Sequence, residues 1–361
     1  MRAVAVTPGT KKSARLVDLP GPRRQSAECL IRVLEVGVDG TDREIDSGLY
    51  GAAPAGDDVL IIGHESLGEV VAASGVPAGP AAGELVVATV RRPDPQCCAS
   101  CRSGEFDFCL TEDYQERGIR EQHGYMAEFY AERADFLVRI PRALRGVAVL
   151  LEPLSVVEKA WRQVQYFRQR TAHSGIERVL ITGAGAIGMF AALLARLHDV
   201  ETLVYSRGEK KGVRGAMLDD MGAGYANATT HTLQDVAREF GEPDLIIEAT
   251  GFSPFAWQSI TALRVNGIAC MLSVTAGQKK FEIESDRINQ ALVLGNRVVF
   301  GSVSSHRCDF EQGVRDMMAV RSKWPGLLER FITRRLPLES FREALDSKEP
   351  GGLKTVLDVA D

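Results

Sequence analysis

The chain has 361 residues, of which 45% are hydrophobic and 25% are charged, and it carries a formal net charge of −5. This composition is typical of a soluble globular protein with two domains, and it excludes the strongly basic surface of proteins that bind nucleic acids or anionic membranes. The first residues lack the apolar core of a signal peptide, and no apolar run is long enough to span a bilayer. We therefore expect a cytoplasmic protein with neither a membrane nor a nucleic acid as partner.

The first part of the chain is predicted to be rich in strands. Residues 28–36 alternate between apolar and polar side chains, and residues 69–73 and 85–90 are short apolar runs with a turn rich in Gly, Pro and Ala between them. Short strands at close spacing favour a small domain that resembles a β-barrel. Residues 91–124 are charged and contain cysteines, which indicates a lobe outside the core.

The second part alternates helices and strands, which predicts a parallel, doubly wound sheet. The predicted elements are a helix over 156–167, a strand over 178–182, a helix over 186–197 and strands over 201–205, 245–248, 269–273 and 298–302. A helix near Phe341 and a closing strand over 355–359 are expected to return the chain to the first domain. We therefore assign residues 1–155 with 305–361 to one domain and residues 156–304 to a dinucleotide-binding domain.

A glycine-rich loop directly follows the strand over 178–182 and opens an apolar helix. It reads Gly183-Ala184-Gly185-Ala186-Ile187-Gly188. In this context the glycines allow a tight turn and a close approach of the backbone to a pyrophosphate, which the helix N-terminus then binds. The alternative is a tight turn that binds nothing. The pattern favours a dinucleotide site that includes Gly183, Gly185, Ala186, Ile187 and Gly188.

The end of the next strand distinguishes NADP from NAD. An Asp or Glu there would bind the ribose 2′-hydroxyl, but the chain has Ser206 and Arg207, which suit a 2′-phosphate. Lys210 and Lys211 are further candidates, or they are solvated surface charges. Glu209 is the one argument for NAD, so NADP is favoured and use of both cofactors stays open.

A second set of residues, earlier in the chain, could bind a divalent metal. Asp39, His64, Glu65 and Glu152 offer one imidazole and up to three carboxylates, a mixed set that zinc accepts. The alternatives are an ordinary helix cap or turn at Asp39 and a structural His-Glu pair. A metal that polarises an alcohol oxygen beside a dinucleotide that accepts a hydride predicts an alcohol dehydrogenase.

Seven stretches of the chain resemble the archaeal-type glucose 1-dehydrogenases, a branch of the zinc-dependent medium-chain dehydrogenase/reductase superfamily. They are residues 36–42 (VGVDGTD), 63–65 (GHE), 89–93 (TVRRP), 116–119 (ERGI), 123–126 (HGYM), 152–154 (EPL) and 248–252 (EATGF). The resemblance implies a GroES-like β-barrel catalytic domain beside a Rossmann domain. It also implies a zinc-dependent, NAD(P)-linked sugar dehydrogenase that forms a homodimer or homotetramer.

The resemblance further implies roles for individual residues. Asp39, His64 and Glu65 would hold or surround a catalytic zinc, with Glu152 as a direct or water-mediated ligand; many relatives have Cys in place of Asp39. Thr41 would relay the proton of the alcohol. Thr250 would contact the cofactor, and Glu116, Thr89 and Ser304 would contact the substrate. If Glu116 is not a substrate contact, it is a surface residue paired with Arg117 or Arg120.

A cluster of cysteines matches the structural zinc lobe of the same superfamily. Cys98, Cys101 and Cys109 have the required spacing, but Pro95 stands where the first of four cysteines is usual. The candidates for the fourth ligand are Cys97, Asp94 and Asp113. A lobe without metal and plain free thiols remain alternatives, and the odd total of seven cysteines argues against a disulfide framework.

Two departures from the glucose enzymes concern the substrate. Ser304 replaces an Asn, and Val156 and Val157 stand where some relatives have a carboxylate. We therefore expect a polyol other than D-glucose, or a range broader than D-glucose. The alternatives are a dehydrogenase of a cyclitol or amino sugar at another carbon, a non-catalytic NADP-binding protein, and a metal-free relative of the quinone reductases.

Overall fold

The computed structural model describes residues 1–172, 175–275, 280–346 and 351–360. The chain forms two compact units: one comprises Met1–Ser155, Ser304–Met318 and Leu328–Asp361, and the other Val156–Val303 and Ala319–Leu327. The domain division expected from the sequence differs from these units at residue 304 and residues 319–327, and we keep it as a proposal. Among the described residues, every helix is too short or too polar to cross a lipid bilayer.

The described strands run through the whole chain. They are β1 (Arg2–Val6), β2 (Arg15–Asp18), β3 (Glu28–Val38), β4 (Leu60–Ile61), β5 (Glu65–Ala72), β6 (Leu85–Ala88), β7 (Arg91–Arg92), β8 (Gln115–Arg117), β9 (Glu121–Gln122), β10 (Phe129–Arg133), β11 (Leu137–Ile140), β12 (Arg178–Thr182), β13 (Glu201–Ser206), β14 (Gly224–Asn227), β15 (Leu245–Glu248), β16 (Ile268–Met271), β17 (Val298–Gly301), β18 (Ile332–Pro337) and β19 (Lys354–Asp358).

The described helices are concentrated in the second half of the chain. They are α1 (Gly40–Asp46), α2 (Ala99–Arg102), α3 (Leu151–Arg168), α4 (Ala186–Leu197), α5 (Gly212–Met221), α6 (Leu233–Glu239), α7 (Ser253–Ser259), α8 (Ser285–Leu294), α9 (Arg307–Lys323) and α10 (Phe341–Asp346). Helix α3 begins five residues before the predicted helix over 156–167. Its first turn contains Glu152 and Pro153, and proline is tolerated there because the amide it lacks has no partner within the helix.

The main sheet of the first unit has the strand order β11-β6-β5-β3-β19-β18, and β10 also pairs with β3. Cys29, Ile31 and Val33 alternate along β3 and are fully buried in the core beneath this sheet. The predicted return of the tail is confirmed, because β19 pairs with β3. Strand β3 ends just before Asp39, and β5 starts at Glu65. Antiparallel pairing of the two strands therefore brings these loops to one edge.

The second unit contains a parallel sheet with the strand order β14-β13-β12-β15-β16-β17. This is the doubly wound order in which a dinucleotide binds where the order reverses, at the carboxyl end of β12. The predicted strands over 178–182 and 245–248 and the helix over 186–197 are confirmed at the same bounds. Strand β14 was not predicted, because its sequence GYAN has no apolar alternation.

Candidate metal and nucleotide sites

Asp39 lies in the turn between β3 and α1 and forms the N-cap of the helix. Its Oδ1 accepts a hydrogen bond of 3.1 Å from the amide of Asp42, and Asp42 Oδ2 accepts one of 3.1 Å from the amide of Asp39. The alternative role predicted for Asp39, a helix cap, is therefore present. The cap uses Oδ1 of Asp39, and the other carboxylate oxygen, Oδ2, lies 3.6 Å from Nε2 of His64.

Asp39, His64 and Glu65 come together as a candidate metal site. One ligand atom from each lies within 4.8 Å of the others. His64 and Glu65 are buried; Nε2 of His64 faces Asp39, and Oε2 of Glu65 has no hydrogen-bond partner among the residues that the structure describes. Buried polar atoms without a partner are costly, and a zinc ion is a natural partner for this mixed nitrogen and oxygen set. The residues present therefore fit a zinc ion.

The electrostatics of this cluster also favour a cation. Burial alone would lower the pKa of His64, but the carboxylates of Asp39, Glu152, Asp42 and Glu65 outweigh it and raise the pKa to about 9. Burial raises the pKa of Glu152 to about 8 and that of Asp42 to about 7. The excess of negative charge that holds a proton on the imidazole would equally stabilise a divalent metal ion.

Glu152 and Thr41 lie on helices that begin beside this cluster. Glu152 is buried in the first turn of α3, and it acts on His64 through its charge without joining the three residues that lie within 4.8 Å. This placement suits a contact between Glu152 and a zinc ion through a water molecule better than direct ligation of the zinc by Glu152. Thr41 is half-buried in the first turn of α1, two residues after Asp39.

A second cluster forms in the lobe. One ligand atom each from Asp94, Cys98, Cys101 and Cys109 lies within 4.8 Å of the others. Oδ2 of Asp94 accepts a hydrogen bond of 2.9 Å from the amide of Cys98 and lies 3.6 Å from Sγ of Cys109. The amide of Cys98 holds the pKa of Asp94 well below its usual range, while burial raises the pKa of the Cys101 thiol.

Of the three candidates for a fourth ligand in the lobe, Asp94 is the one that joins the cysteines. Oδ1 of Asp94 is buried, and no described residue forms a hydrogen bond with it. The carbonyl of Cys97 accepts a hydrogen bond from Arg102, and Asp113 is exposed and lies 3.6 Å from Arg120. Three thiols and one carboxylate form a closed four-ligand set that suits a structural zinc.

The glycine-rich loop lies between β12 and α4, as predicted. Gly183 has φ of +98°, and a Cβ there would lie 2.5 Å from the carbonyl oxygen of Ala249. Gly185 is the N-cap of α4 and makes no side-chain capping bond, and a Cβ built on it would meet open space. The first amides of α4 are therefore available to an anion such as a pyrophosphate.

The residues after β13 favour a 2′-phosphate. Arg207 is exposed, its guanidinium lies 5.9 Å from the ring of Phe252, and it has no carboxylate partner in the part of the chain that the structure describes. Glu209 pairs with Lys211 at 2.8 Å, which offsets the one argument for NAD. Lys210 pairs with Asp219 at 2.5 Å.

The other cofactor candidates lie close to the loop. Thr250 is exposed, and its hydroxyl donates to Glu248 at 2.5 Å. Arg214 was not predicted. Its guanidinium donates to the carbonyl of Ala184 at 2.9 Å and so braces the glycine-rich loop. Its position eight residues beyond the end of β13 gave no sequence signal, because arginines are common on such helices.

Glu116 is buried, so the alternative to a substrate contact, a surface residue paired with Arg117 or Arg120, is wrong. Arg91 donates to Oε1 of Glu116 from Nε at 3.0 Å and from Nη2 at 2.9 Å. Arg117 instead donates to Glu132 at 2.9 Å. The physical reason is strand geometry: Arg91 lies directly opposite Glu116 in the β7–β8 pair, whereas consecutive residues of a strand point to opposite faces.

Thr89 and Ser304 differ in how their surroundings constrain them. Thr89 is buried, and its carbonyl accepts from the hydroxyl of Tyr125 at 3.1 Å and from Arg92 at 3.0 Å. Ser304 is half-buried and has φ of +59°, a left-handed conformation in which Asn is favoured over Ser. The Asn expected at this position in glucose enzymes would therefore suit the backbone as well as a substrate.

Two family models match the chain over most of its length. The model of the glucose dehydrogenase C-terminus matches residues 145–359, and that of the alcohol dehydrogenase GroES-like domain matches residues 25–142. The chain belongs to the glucose dehydrogenase family. It is thus a member of the zinc-dependent medium-chain dehydrogenases/reductases.

Relatives of this glucose dehydrogenase family member align along nearly its whole length. It is 43% identical to a glucose 1-dehydrogenase of Methanocella arvoryzae over 96% of both chains, and 36% identical to one of Thermoproteus tenax over 95% of both. A solved structure of Haloferax mediterranei glucose dehydrogenase, in complex with NADP, Zn and gluconolactone, matches it with a TM-score of 0.91 and 31% identity over 100% of both chains. The predicted family, fold class and class of enzyme are confirmed.

For this dehydrogenase we expect that Asp94→Ala removes the zinc of the lobe only. Purified wild type should hold two zinc ions per chain and the variant one, because three thiolates bind zinc less tightly than a closed set of four ligands. Metal analysis after dialysis measures the stoichiometry. The melting temperature should fall, since binding of a structural zinc contributes to folding stability.

Asp113→Ala is the matched control for that experiment, because Asp113 is an exposed acidic residue of the same lobe. It should retain both ions. A lobe that loses its zinc in Asp113→Ala and keeps it in Asp94→Ala would assign the fourth ligand to Asp113 instead.

Proposed function

We propose that this dehydrogenase oxidises a hydroxyl of an aldose or related polyol and transfers the hydride to NADP. The observation that carries the proposal is the cluster of Asp39, His64 and Glu65, in which Nε2 of His64 lies 3.6 Å from Oδ2 of Asp39 and Oε2 of Glu65 is buried without a hydrogen-bond partner among the described residues. The glycine-rich loop and the exposed Arg207 support NADP as the acceptor. The Haloferax mediterranei relative, solved with NADP, Zn and gluconolactone, supports the same pairing of cofactor, metal and oxidised sugar.

Asp39, His64 and Glu65 would hold the zinc, and Glu152 would support it from the start of α3. When bound, zinc supplies a Lewis acid that lowers the pKa of an alcohol hydroxyl. The capping bond from Asp42 orients the carboxylate of Asp39, and burial of His64 and Glu65 excludes bulk water from the site. This pre-organisation keeps the ligand atoms in place before a substrate arrives.

Two transfers complete the oxidation. The carbon that bears the hydroxyl gives up a hydride to the nicotinamide ring of NADP, and the hydroxyl gives up its proton. We assign the first step of proton removal to the hydroxyl of Thr41, which can accept one proton and pass on another. The products are a carbonyl compound, NADPH and one proton, so atoms and electrons balance.

The direct test of the function is a panel of aldoses, cyclitols and amino sugars, with formation of NADPH and zinc content measured together. We expect turnover with at least one aldose, and loss of turnover when the zinc is removed with a chelator. Turnover without zinc would support a metal-free reductase. NADP binding with no turnover on the whole panel would support a non-catalytic protein.

In the substrate pocket we expect Glu116→Gln to lower kcat/KM on the preferred sugar. A hydrogen bond from a sugar hydroxyl to a carboxylate contributes about 1.5–3 kcal/mol, so roughly a ten- to a hundredfold loss is expected. Steady-state kinetics of the wild type and Glu116→Gln on the preferred sugar measure this change in kcat/KM. The exposed Glu112 provides the control variant Glu112→Gln, which should leave kcat/KM unchanged.

The ranking of substrates should respond to Ser304. We expect the wild type to prefer a polyol other than D-glucose, or to accept several, and Ser304→Asn to shift the ranking toward D-glucose. The left-handed backbone of residue 304 tolerates Asn better than Ser, so the variant should fold. An unchanged ranking in Ser304→Asn would show that this side chain does not contact the sugar.

We also propose a homo-oligomer in the cytoplasm. Strand β17 forms one edge of the parallel sheet, and Val298, Val299 and Phe300 along it are only half-buried. Val293 and Leu294 at the end of α8 are 65% and 78% exposed. An edge strand beside exposed apolar residues fits pairing with a second copy of the chain. Light scattering with size-exclusion chromatography would measure the assembly.

A further inference from the structure

Glu65 makes a buried ion pair that no role described so far explains. Its Oε1 accepts a hydrogen bond of 2.6 Å from Nζ of Lys354, and the two side chains are 2% and 4% exposed. Lys is almost never fully buried unless it is paired. The pair costs desolvation on both sides, so its position beside a candidate metal site needs a reason.

The sheet explains how the pair forms. Strand β3 runs between β5 and β19, and Gly37 of β3 lies opposite Glu65 on one side and Val356 on the other. Lys354 precedes Val356 by two residues and so lies on the same face of the sheet. Because Gly37 has no side chain, the two charged side chains can meet above it. A Cβ at Gly37 would lie 1.9 Å from Oε2 of Glu65.

The two carboxylate oxygens of Glu65 therefore differ. Oε1 is held by Lys354, while Oε2 is buried, has no hydrogen-bond partner in the described part of the chain, and can contact a metal. The ammonium of Lys354 also interacts electrostatically with Asp39 and Glu152. One fixed positive charge thus acts on three of the acidic groups of the cluster and competes there with a metal ion.

We propose that Lys354 is a positioning residue that limits Glu65 to a single-oxygen contact with the zinc and lowers the affinity of the site for it. This inference rests on the proposed function. Without Lys354, Glu65 could chelate through both oxygens, and together with Asp39 and His64 it would fill the coordination of the ion. A catalytic zinc site needs an open position, whereas a closed set of ligands is typical of structural zinc.

The test is the affinity for zinc of Lys354→Met, a neutral variant of similar length. The Kd for zinc at the Asp39–His64 site, measured by competition with a chromophoric chelator, should fall about tenfold, because a buried positive charge near the ion is removed. Turnover should fall at the same time. In the cobalt-substituted protein, the visible bands of this site should shift toward higher coordination, and the cobalt–thiolate absorption of the lobe should not change.

Two further variants separate positioning from general damage. Lys354→Arg can hold both oxygens of Glu65 with its guanidinium fork, so it should weaken zinc binding, opposite in sign to Lys354→Met. In a Glu65→Gln background, Lys354→Met should change the Kd less than it does in the wild type. If Lys354→Met does not fold, Lys354→Gln takes its place with the same expected sign.

The outcomes distinguish this inference from the function on which it rests. A folded neutral variant that binds zinc as well as or more weakly than the wild type would overturn the role of Lys354 and leave the sugar dehydrogenase intact. A wild type that holds no zinc at Asp39 and His64 would overturn the proposed function itself.

Discussion

Replacing His64 with alanine is expected to abolish sugar oxidation while NADP still binds. His64 is the one nitrogen ligand of the candidate zinc site, and it is buried among carboxylates that stabilise its positive charge or a metal ion. Loss of a residue that contacts the metal only indirectly typically lowers metal affinity or activity about 10–100-fold. Loss of a direct ligand should therefore lower the rate of sugar oxidation more than about a hundredfold. Zinc analysis and steady-state kinetics measure the effect.

Binding of NADP should survive in this variant, because the glycine-rich loop and Arg207 belong to the other compact unit. Quenching of intrinsic fluorescence by NADPH would give the Kd. His231→Ala is the matched control: this half-buried histidine belongs to the same unit as the loop, and the variant should retain both zinc and turnover. Near-normal turnover of His64→Ala with zinc still bound would remove His64 from the metal site.

Arg207→Ala should raise KM for NADP roughly ten- to a hundredfold and KM for NAD much less. A hydrogen bond between a guanidinium and a phosphate contributes about 1.5–3 kcal/mol to binding. NAD has no 2′-phosphate, so its binding does not depend on this hydrogen bond. Arg207 is exposed at the end of β13, and among the described residues no carboxylate competes for it. The measurement is KM for both cofactors at saturating sugar.

Lys211→Ala is the matched control for that experiment. Lys211 is a nearby exposed cation, but its ammonium is paired with Glu209 at 2.8 Å, so its removal should change KM for NADP far less. If Arg207→Ala raised both KM values by the same factor, the residue would not distinguish the two cofactors. A large effect of Lys211→Ala on NADP alone would move the 2′-phosphate contact to that side chain.

The parts of the fold that follow from local patterns could be predicted from the sequence. Alternation along β3 and the strand–glycine loop–helix of the second unit are periodic signals that depend on neighbouring residues only. The edge strand β14 lacks such a signal, since its short sequence GYAN is polar and small. Glu152 was placed before a helix instead of inside its first turn, because the apolar periodicity that predicts this helix begins only after Pro153.

The contacts that shape the candidate site could not be predicted in the same way. Lys354 is 289 residues from Glu65, and the two meet only because β19 returns to the far side of β3. The choice of Asp94 over Cys97 in the lobe depends on the direction of side chains in an irregular turn. The pairing of Arg91 with Glu116 needed the register of β7 and β8, which the charged sequence of the lobe does not reveal.

The double use of Asp39, which caps α1 with one oxygen and faces His64 with the other, bears on the order of assembly. A thiol at this position, as in many members of the superfamily, would bind a metal well but would cap a helix poorly, since sulfur is a weak acceptor. With aspartate, the turn is held by the helix whether or not an ion is present. The turn that carries Asp39 can therefore fold before the candidate catalytic site binds its metal. A temporary shortage of zinc at this site would leave a folded apoprotein that regains activity when zinc binds.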